Sequence, residues 1–253
     1  MRGFFVSLLF VGLTFFTVMG ATPNIQGHWA LLEISSDYWQ VPLVGERQRI
    51  GVVIGSIEIE QEGTRFYMED LSLCGMWLNS GAAIAKVEIP KAFVESVSVG
   101  AVPGRIYKEG DRYAIEVPWF VLVNGAELAD SEGDLLPTEV DDPRVFDQDD
   151  DGHPGVTTKI SIIGLISGEA YVVQRVRKSY KGTIEKDGLI NGLLYWEDEQ
   201  NTLDASSSMF AMKSKGRPDP ELEHSHFRLV RIDGHESCDD IIKLFADDVE
   251  DLI

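Results

Sequence analysis

The sequence predicts a mainly β protein, an antiparallel barrel or sandwich with one C-terminal α-helix. Three observations predict it. Beyond residue 20 the chain is mostly short apolar runs broken by Gly, Asn, Asp and Ser, the pattern of strands and turns. The runs follow one another in hairpin order, with no repeat of fixed period. The C-terminal stretch then changes period, with apolar residues at three- and four-residue steps.

The elements follow in order. Trp29 to Ile34 is the first expected strand. Arg49 to Glu60 and Thr64 to Leu73 flank Glu62-Gly63 and read as a hairpin, with Gly51 and Gly55 marking a bend or bulge. Ala83 to Ile89 is a strand stopped by Pro90, which can open a short helix running to Val97. Arg105 to Lys108 and Arg112 to Val117 surround the turn Glu109-Gly110-Asp111. A polar, acidic segment fills residues 124–155. Further strands are expected at Val156 to Leu165, Glu169 to Lys178, Tyr180 to Glu185, Leu189 to Trp196, Met209 to Met212 and His226 to Ile232. Ser214 to Glu223, polar with two prolines, reads as a loop. In the tail, Cys238, Ile241, Ile242, Phe245, Val249 and Leu252 form the apolar stripe of a helix. Aspartates at its far end oppose the dipole, so the helix should fray after Asp247.

Residues 1–20 read as a cleavable signal peptide. Arg2 is the positive start, Phe4 to Val18 is largely apolar, and Gly20 and Ala21 supply small residues at the cut. The apolar part is about 15 residues, short of the ~20 that a spanning helix needs. The expected organisation is therefore a signal peptide at 1–20, an antiparallel β domain at 21–235 and an amphipathic helix at 236–253 packed on it. The destination is the periplasm or the cell exterior. The formal charge of −20 repels phosphate backbones and anionic lipid, so neither nucleic acid nor a membrane surface is an expected partner. Oligomeric state is not legible. Cys74 and Cys238 are the two cysteines, and export permits a disulfide between them. Two buried free thiols are the alternative.

One stretch carries recognisable chemistry. In Asp147-Gln148-Asp149-Asp150-Asp151-Gly152-His153, carboxylates at alternate positions can turn inward round a hard cation, and Gly152 permits a sharp turn. The stretch resembles the DxDxDG calcium loops of EF-hands, dockerins and thrombospondin type 3 repeats. That resemblance implies Ca2+ held by the side chains of Asp147, Asp149 and Asp151 and by the backbone carbonyl of His153. An EF-hand's bidentate Glu is missing, because Thr158 stands at its position. Glu139, Asp141 or Asp142 just upstream, or water, would complete the shell. Such a site would be structural.

Trp29, Trp77, Trp119 and Trp196, with Trp39, are candidates to line an interior cavity for a small apolar ligand. Gly27-His28-Trp29 resembles the GxW element of lipocalins, which implies a lipocalin-like, eight-stranded barrel with the Trp plugging one end. His224, His226 and His235 could ligate zinc or copper but read as a polar strand end. Glu33, Glu58, Glu60, Glu69 and Glu116 lie in strands, and nothing selects a hydrolytic pair among them. No HExxH, GxSxG or phosphate-cradling loop is present. The leading expectation is an exported, non-catalytic β protein with a structural calcium loop. The alternatives are a lipocalin-like carrier and a secreted hydrolase. A filled interior would favour the first, and a hollow one open at one end would favour the carrier.

Overall fold

A computed structural model describes residues 21–41, 45–164, 166–186, 188–211 and 216–252. The expected signal peptide lies outside them. Eleven strands form one antiparallel sheet: β1 Gly27–Val41, β2 Gly45–Glu62, β3 Arg65–Asn79, β4 Ala85–Glu88, β5 Val102–Glu109, β6 Arg112–Asn124, β7 Val156–Ile162, β8 Ile166–Ile184, β9 Leu189–Ala205, β10 Gly216–Pro218 and β11 His226–Arg231. Three short helices accompany it: α1 Lys91–Ser96, α2 Cys238–Leu244 and α3 Ala246–Val249.

The pairings close a ring of eight strands. β1 pairs with β2, β2 with β3, β3 with β5, β5 with β6, β6 with β8, β8 with β9, β9 with β11, and β11 returns to β1. Where the strands pair round the ring, closure removes exposed edges. Toward the other end the partners change. β8 gives its first residues to β7 and the remainder to β6. β3 pairs with β5 at Arg65 to Met68 and with β4 at Leu78. β10 succeeds β11 along the same edge of β1. Beside β3 sits α1, whose Phe93 joins Leu122, Val156 and Val172 in a buried cluster.

The inner face is packed solid at one end. Trp29, Leu31, Ile59, Phe66, Ile115 and Leu229 belong to one buried cluster there. β1 is also buried on its outer face, where Ala30, Leu32 and Ile34 meet Ile241, Phe245 and Val249. A strand buried on both sides loses simple apolar–polar alternation, and the C-terminal helices are the reason here. Cys74 on β3 is disulfide-bonded to Cys238 at the start of α2, with Cα atoms 5.0 Å apart. Ser237 caps α2 in a reciprocal capping box with Asp240.

Several expectations need correction. The tail is two short helices rather than one: the chain departs from helix at Phe245 (φ −108°, ψ 11°), whose ring is buried in the outer cluster. The two strands expected around Ser179 are one long strand, β8. The irregularity falls on its partner, since β6 shifts register between Val117 and Phe120. Residues 209–211 are not a strand; Phe210 is buried in a turn, and Met212 lies outside the described residues. The expected loop after Ser214 contains β10 and a 3-10 turn at Leu222–His224.

Candidate ligand cavity and acidic loop

Above the packed end the barrel is hollow. A cavity of about 820 Å³ occupies its interior. Alternate residues of β1 trace its wall: Leu31, Glu33, Ser35, Asp37 and Trp39 all face it, because successive side chains of a strand point to opposite faces. The series runs from buried Leu31 to the exposed Gln40 and Gly45, which also line the cavity, so it reaches the surface at that end. At the opposite end Trp29 closes the barrel. Its indole nitrogen donates to the Ile25 carbonyl at 2.8 Å. The Arg231 guanidinium lies 4.5 Å from the Trp29 ring centroid and donates to the carbonyls of Gln26 (2.6 Å) and Asn24 (2.9 Å). Arg231 thus ties the last strand of the ring to the chain entering the first.

The wall changes character with depth. Leu31, Ile57, Met68, Phe120 and Leu194 are among its apolar residues. Two charged groups of side chains also face the interior. Glu33, 3% exposed, accepts the Tyr180 hydroxyl on one oxygen and the Lys178 ammonium on the other. Burial, reinforced by the charge of Glu33, pushes the Tyr180 hydroxyl well above its ordinary range. In the second group Arg49 donates from Nε to Asp37 at 2.8 Å and from Nη2 to the other oxygen of Asp37. The same Nη2 lies 3.5 Å from Asp198. Burial raises the Asp198 carboxyl above the usual carboxylate range, with Arg49 opposing the shift.

The tryptophans divide. Trp196, Trp39 and Trp77 line the cavity, and Trp77 also packs into the outer cluster. Trp29 is in the closed floor, and Trp119 is exposed with Arg177 over its ring, so neither is among the cavity-lining residues. Of the strand glutamates, Glu33 and Glu69 line the cavity. Glu116 instead binds Arg105.

Reading the sequence missed Arg49, Asp37, Lys178, Asp198 and Arg231. A signal for three of them was present: each of β1, β8 and β9 continues its inward face from apolar into charged residues, as in Trp29, Leu31, Glu33, Ser35, Asp37.

Near the open end Ser36, Gln48 and His224 meet Asp219. Ser36 Oγ donates to Asp219 Oδ2 at 2.6 Å, Gln48 Nε2 at 2.9 Å, and His224 Nδ1 at 2.9 Å. Serine and imidazole bind the same carboxylate oxygen. The imidazole therefore does not stand between nucleophile and acid, as serine activation requires. The cluster instead anchors the segment carrying β10 to β1 and β2. The bond to Asp219 raises the His224 imidazole above its usual value, burial opposes, and Glu221 and Glu223 add to the rise. Folded protein then holds the proton more tightly than unfolded chain. The stabilisation is complete below about pH 6.5 and is lost as pH rises through the higher folded value. An NMR titration should place the His224 midpoint above ~6.5, and Asp219→Asn should return it toward that value.

In the acidic segment, Asp147, Asp149 and Asp151 each offer an oxygen, and these lie within 4.8 Å of one another. Local backbone geometry brings them together. Asp147 accepts the amides of Asp151 (3.2 Å) and Gly152 (2.8 Å), and Asp151 accepts that of His153 (2.9 Å). Gly152 (φ +89°) and Gly155 (φ +85°) turn the chain; a Cβ on Gly155 would sit 2.3 Å from the Val172 carbonyl oxygen. Asp149 is 7% exposed. Its Oδ2 accepts the Thr157 amide at 2.9 Å, whereas its Oδ1 is buried without a hydrogen-bond partner. Burial raises the Asp149 carboxyl, the Thr157 bond opposes, and the charges of Asp151 and Asp147 add to the rise. The His153 ring is stacked on Tyr171 with centroids 4.0 Å apart.

Glu139, Asp141 and Asp142 do not join this group. Asp142 is bound by both Nε (2.9 Å) and Nη2 (2.7 Å) of Arg144, and that pairing lowers its pKa to about 2. His224, His226 and His235 form no metal-binding group among the described residues. No helix among the described residues is long and apolar enough to cross a membrane. No protein-family model matches the chain, and neither does any curated protein or solved structure.

Proposed function

We propose that this protein is an exported, non-catalytic carrier that holds a small, largely apolar molecule inside its barrel. The cavity carries this reading. Its volume of about 820 Å³ lies within the ~300–1,000 Å³ typical of ligand pockets, and apolar side chains make up most of its wall. The resemblance of Gly27-His28-Trp29 to the lipocalin element supports it, since Trp29 occupies the closed end of an eight-strand ring. The bond between Cys74 and Cys238 suits the oxidising compartment that export implies.

Titration with the neutral fluorophore N-phenyl-1-naphthylamine tests the reading. Saturable enhancement at one equivalent per chain is expected, and Leu194→Trp, which puts a larger ring on the cavity wall, should weaken it. Leu194 is buried on the cavity wall, so the larger ring competes directly with the probe. A folded wild-type protein that gives no enhancement would end the carrier reading.

The acidic loop is read as a structural calcium site. The buried, unpartnered Oδ1 of Asp149, together with the oxygens of Asp147 and Asp151, fits a hard divalent cation. Asp149, Asp147 and Asp151 would hold the ion, with the His153 carbonyl as a further ligand. Because the Thr157 amide, near the start of β7, is bound to Asp149, the ion would fix the crossing from β6 to β7. An affinity on the order of 10⁻⁴–10⁻³ M is expected for an extracellular site with so few protein ligands. At a tenfold excess over Kd, linkage then adds about 1.4 kcal/mol. Calcium added to chelated protein should therefore raise Tm by roughly 3–5 °C. Asp149→Asn should remove the shift, and its absence in wild-type protein at several millimolar would reject the site.

A further inference from the structure

We propose that the cavity selects apolar ligands bearing a positively charged nitrogen, an organic ammonium, over fatty acids and other anionic amphiphiles. This rests on the carrier reading and adds the chemistry of the head group. Four carboxylates line the cavity, Glu33, Asp37, Glu69 and Asp198, against two cations, Arg49 and Lys178. Both cations are already committed. Lys178 is bound to Glu33, and Arg49 is bound through two N–H groups to Asp37 while facing Asp198 at 3.5 Å.

An anionic head group would find no cation to meet. It would have to displace a carboxylate from an ion pair in the wall and leave that charge uncompensated, which is costly where water is scarce. An ammonium meets the opposite situation. Asp37 and Asp198 share one guanidinium, so their cluster holds one negative charge in excess. A positive head group placed against Asp198 would balance it.

The neighbouring rings suit the same ligand. Trp196 precedes Asp198 by two residues on the inward face of β9, and Trp39, whose ring already faces the Arg49 guanidinium at 5.8 Å, follows Asp37 by two on β1. The Trp196 ring is positioned by its indole nitrogen, which donates to Ser225 Oγ at 3.2 Å. Aromatic faces attract cations, most strongly in desolvated settings. Deeper in the cavity Leu31, Ile57, Met68 and Phe120 would take the apolar body. The protein's net charge of −20 draws cations toward it from solution as well.

The test compares three probes with one alkyl chain: dodecylamine, dodecan-1-ol and dodecanoate. Each displaces N-phenyl-1-naphthylamine from the full folded chain with calcium present, at neutral pH and below micelle-forming concentrations. Dodecylamine is expected to compete at concentrations about tenfold or more below dodecanoate, with the alcohol between them. Asp198→Asn should remove most of that preference. If dodecanoate competes as well as dodecylamine on wild-type protein, the ammonium assignment is overturned and the carrier reading stands. If neither the fluorophore nor any of the three binds, the carrier reading itself fails. The wild-type comparison decides the matter even if the variant does not fold.

Discussion

Glu33→Ala is expected to lower folding stability by about 3–5 kcal/mol, the range found when one partner of a buried ion pair is removed. The reason lies in what is left behind. Glu33 accepts both the Tyr180 hydroxyl and the Lys178 ammonium, and Tyr180 is itself buried in the wall. Without the carboxylate the ammonium has no counter-ion and the hydroxyl no acceptor. Glu33→Gln restores an acceptor for Tyr180 but not the charge, so a loss of about 1–3 kcal/mol is expected. Urea unfolding of the three proteins at neutral pH measures both differences. A Glu33→Ala loss under about 1 kcal/mol would mean that water in the cavity already solvates the ammonium. It would also weaken the desolvation argument against anionic ligands, which connects this measurement to the choice of head group.

How far the architecture could be read from the chain depends on which face a residue occupies. Hairpins such as Arg105 to Val117 flank an obvious turn and are found almost where expected. The ends of the long strands were not legible, because their inward positions are polar. The expected strand stopped at Trp196, yet Glu197-Asp198-Glu199-Gln200 continue β9, with Trp196, Asp198 and Gln200 lining the cavity. A hollow barrel breaks the rule that inward means apolar, since a cavity can carry charges that a packed core cannot. The acidic loop was legible because its geometry is local: alternating aspartates and Gly152 suffice to gather the oxygens. Its proposed upstream partners were not, because the Arg144 that engages Asp142 outcompetes any role for that carboxylate in the loop. Long-range pairing set the closed ring, and no local pattern encodes that β11 returns to β1.

Removing the disulfide, as Cys74→Ala with Cys238→Ala, is expected to cost roughly 2–5 kcal/mol, comparable with the loss at Glu33. The two cysteines are 164 residues apart, so in the chain-entropy account the bond restrains nearly the whole ring in the unfolded state, with an ideal value of about 5 kcal/mol. The bond also has a local task. Beyond the α2 cap, α2 and α3 are held to the barrel by Ile241, Phe245 and Val249 packed on Ala30, Leu32 and Val52. Isolated helices this short are marginal in water, so they depend on that apolar seam and on the covalent tie at Cys238. The double variant should therefore melt about 10 °C lower, taking roughly 2–4 °C per kcal/mol for a chain of this size. Hydrogen exchange should rise first in residues 238–252 and in β1 beneath them, before the rest of the ring. Equal loss of protection throughout would assign the bond's contribution to the unfolded chain alone. An unchanged Tm would show that the apolar seam holds the helices without it.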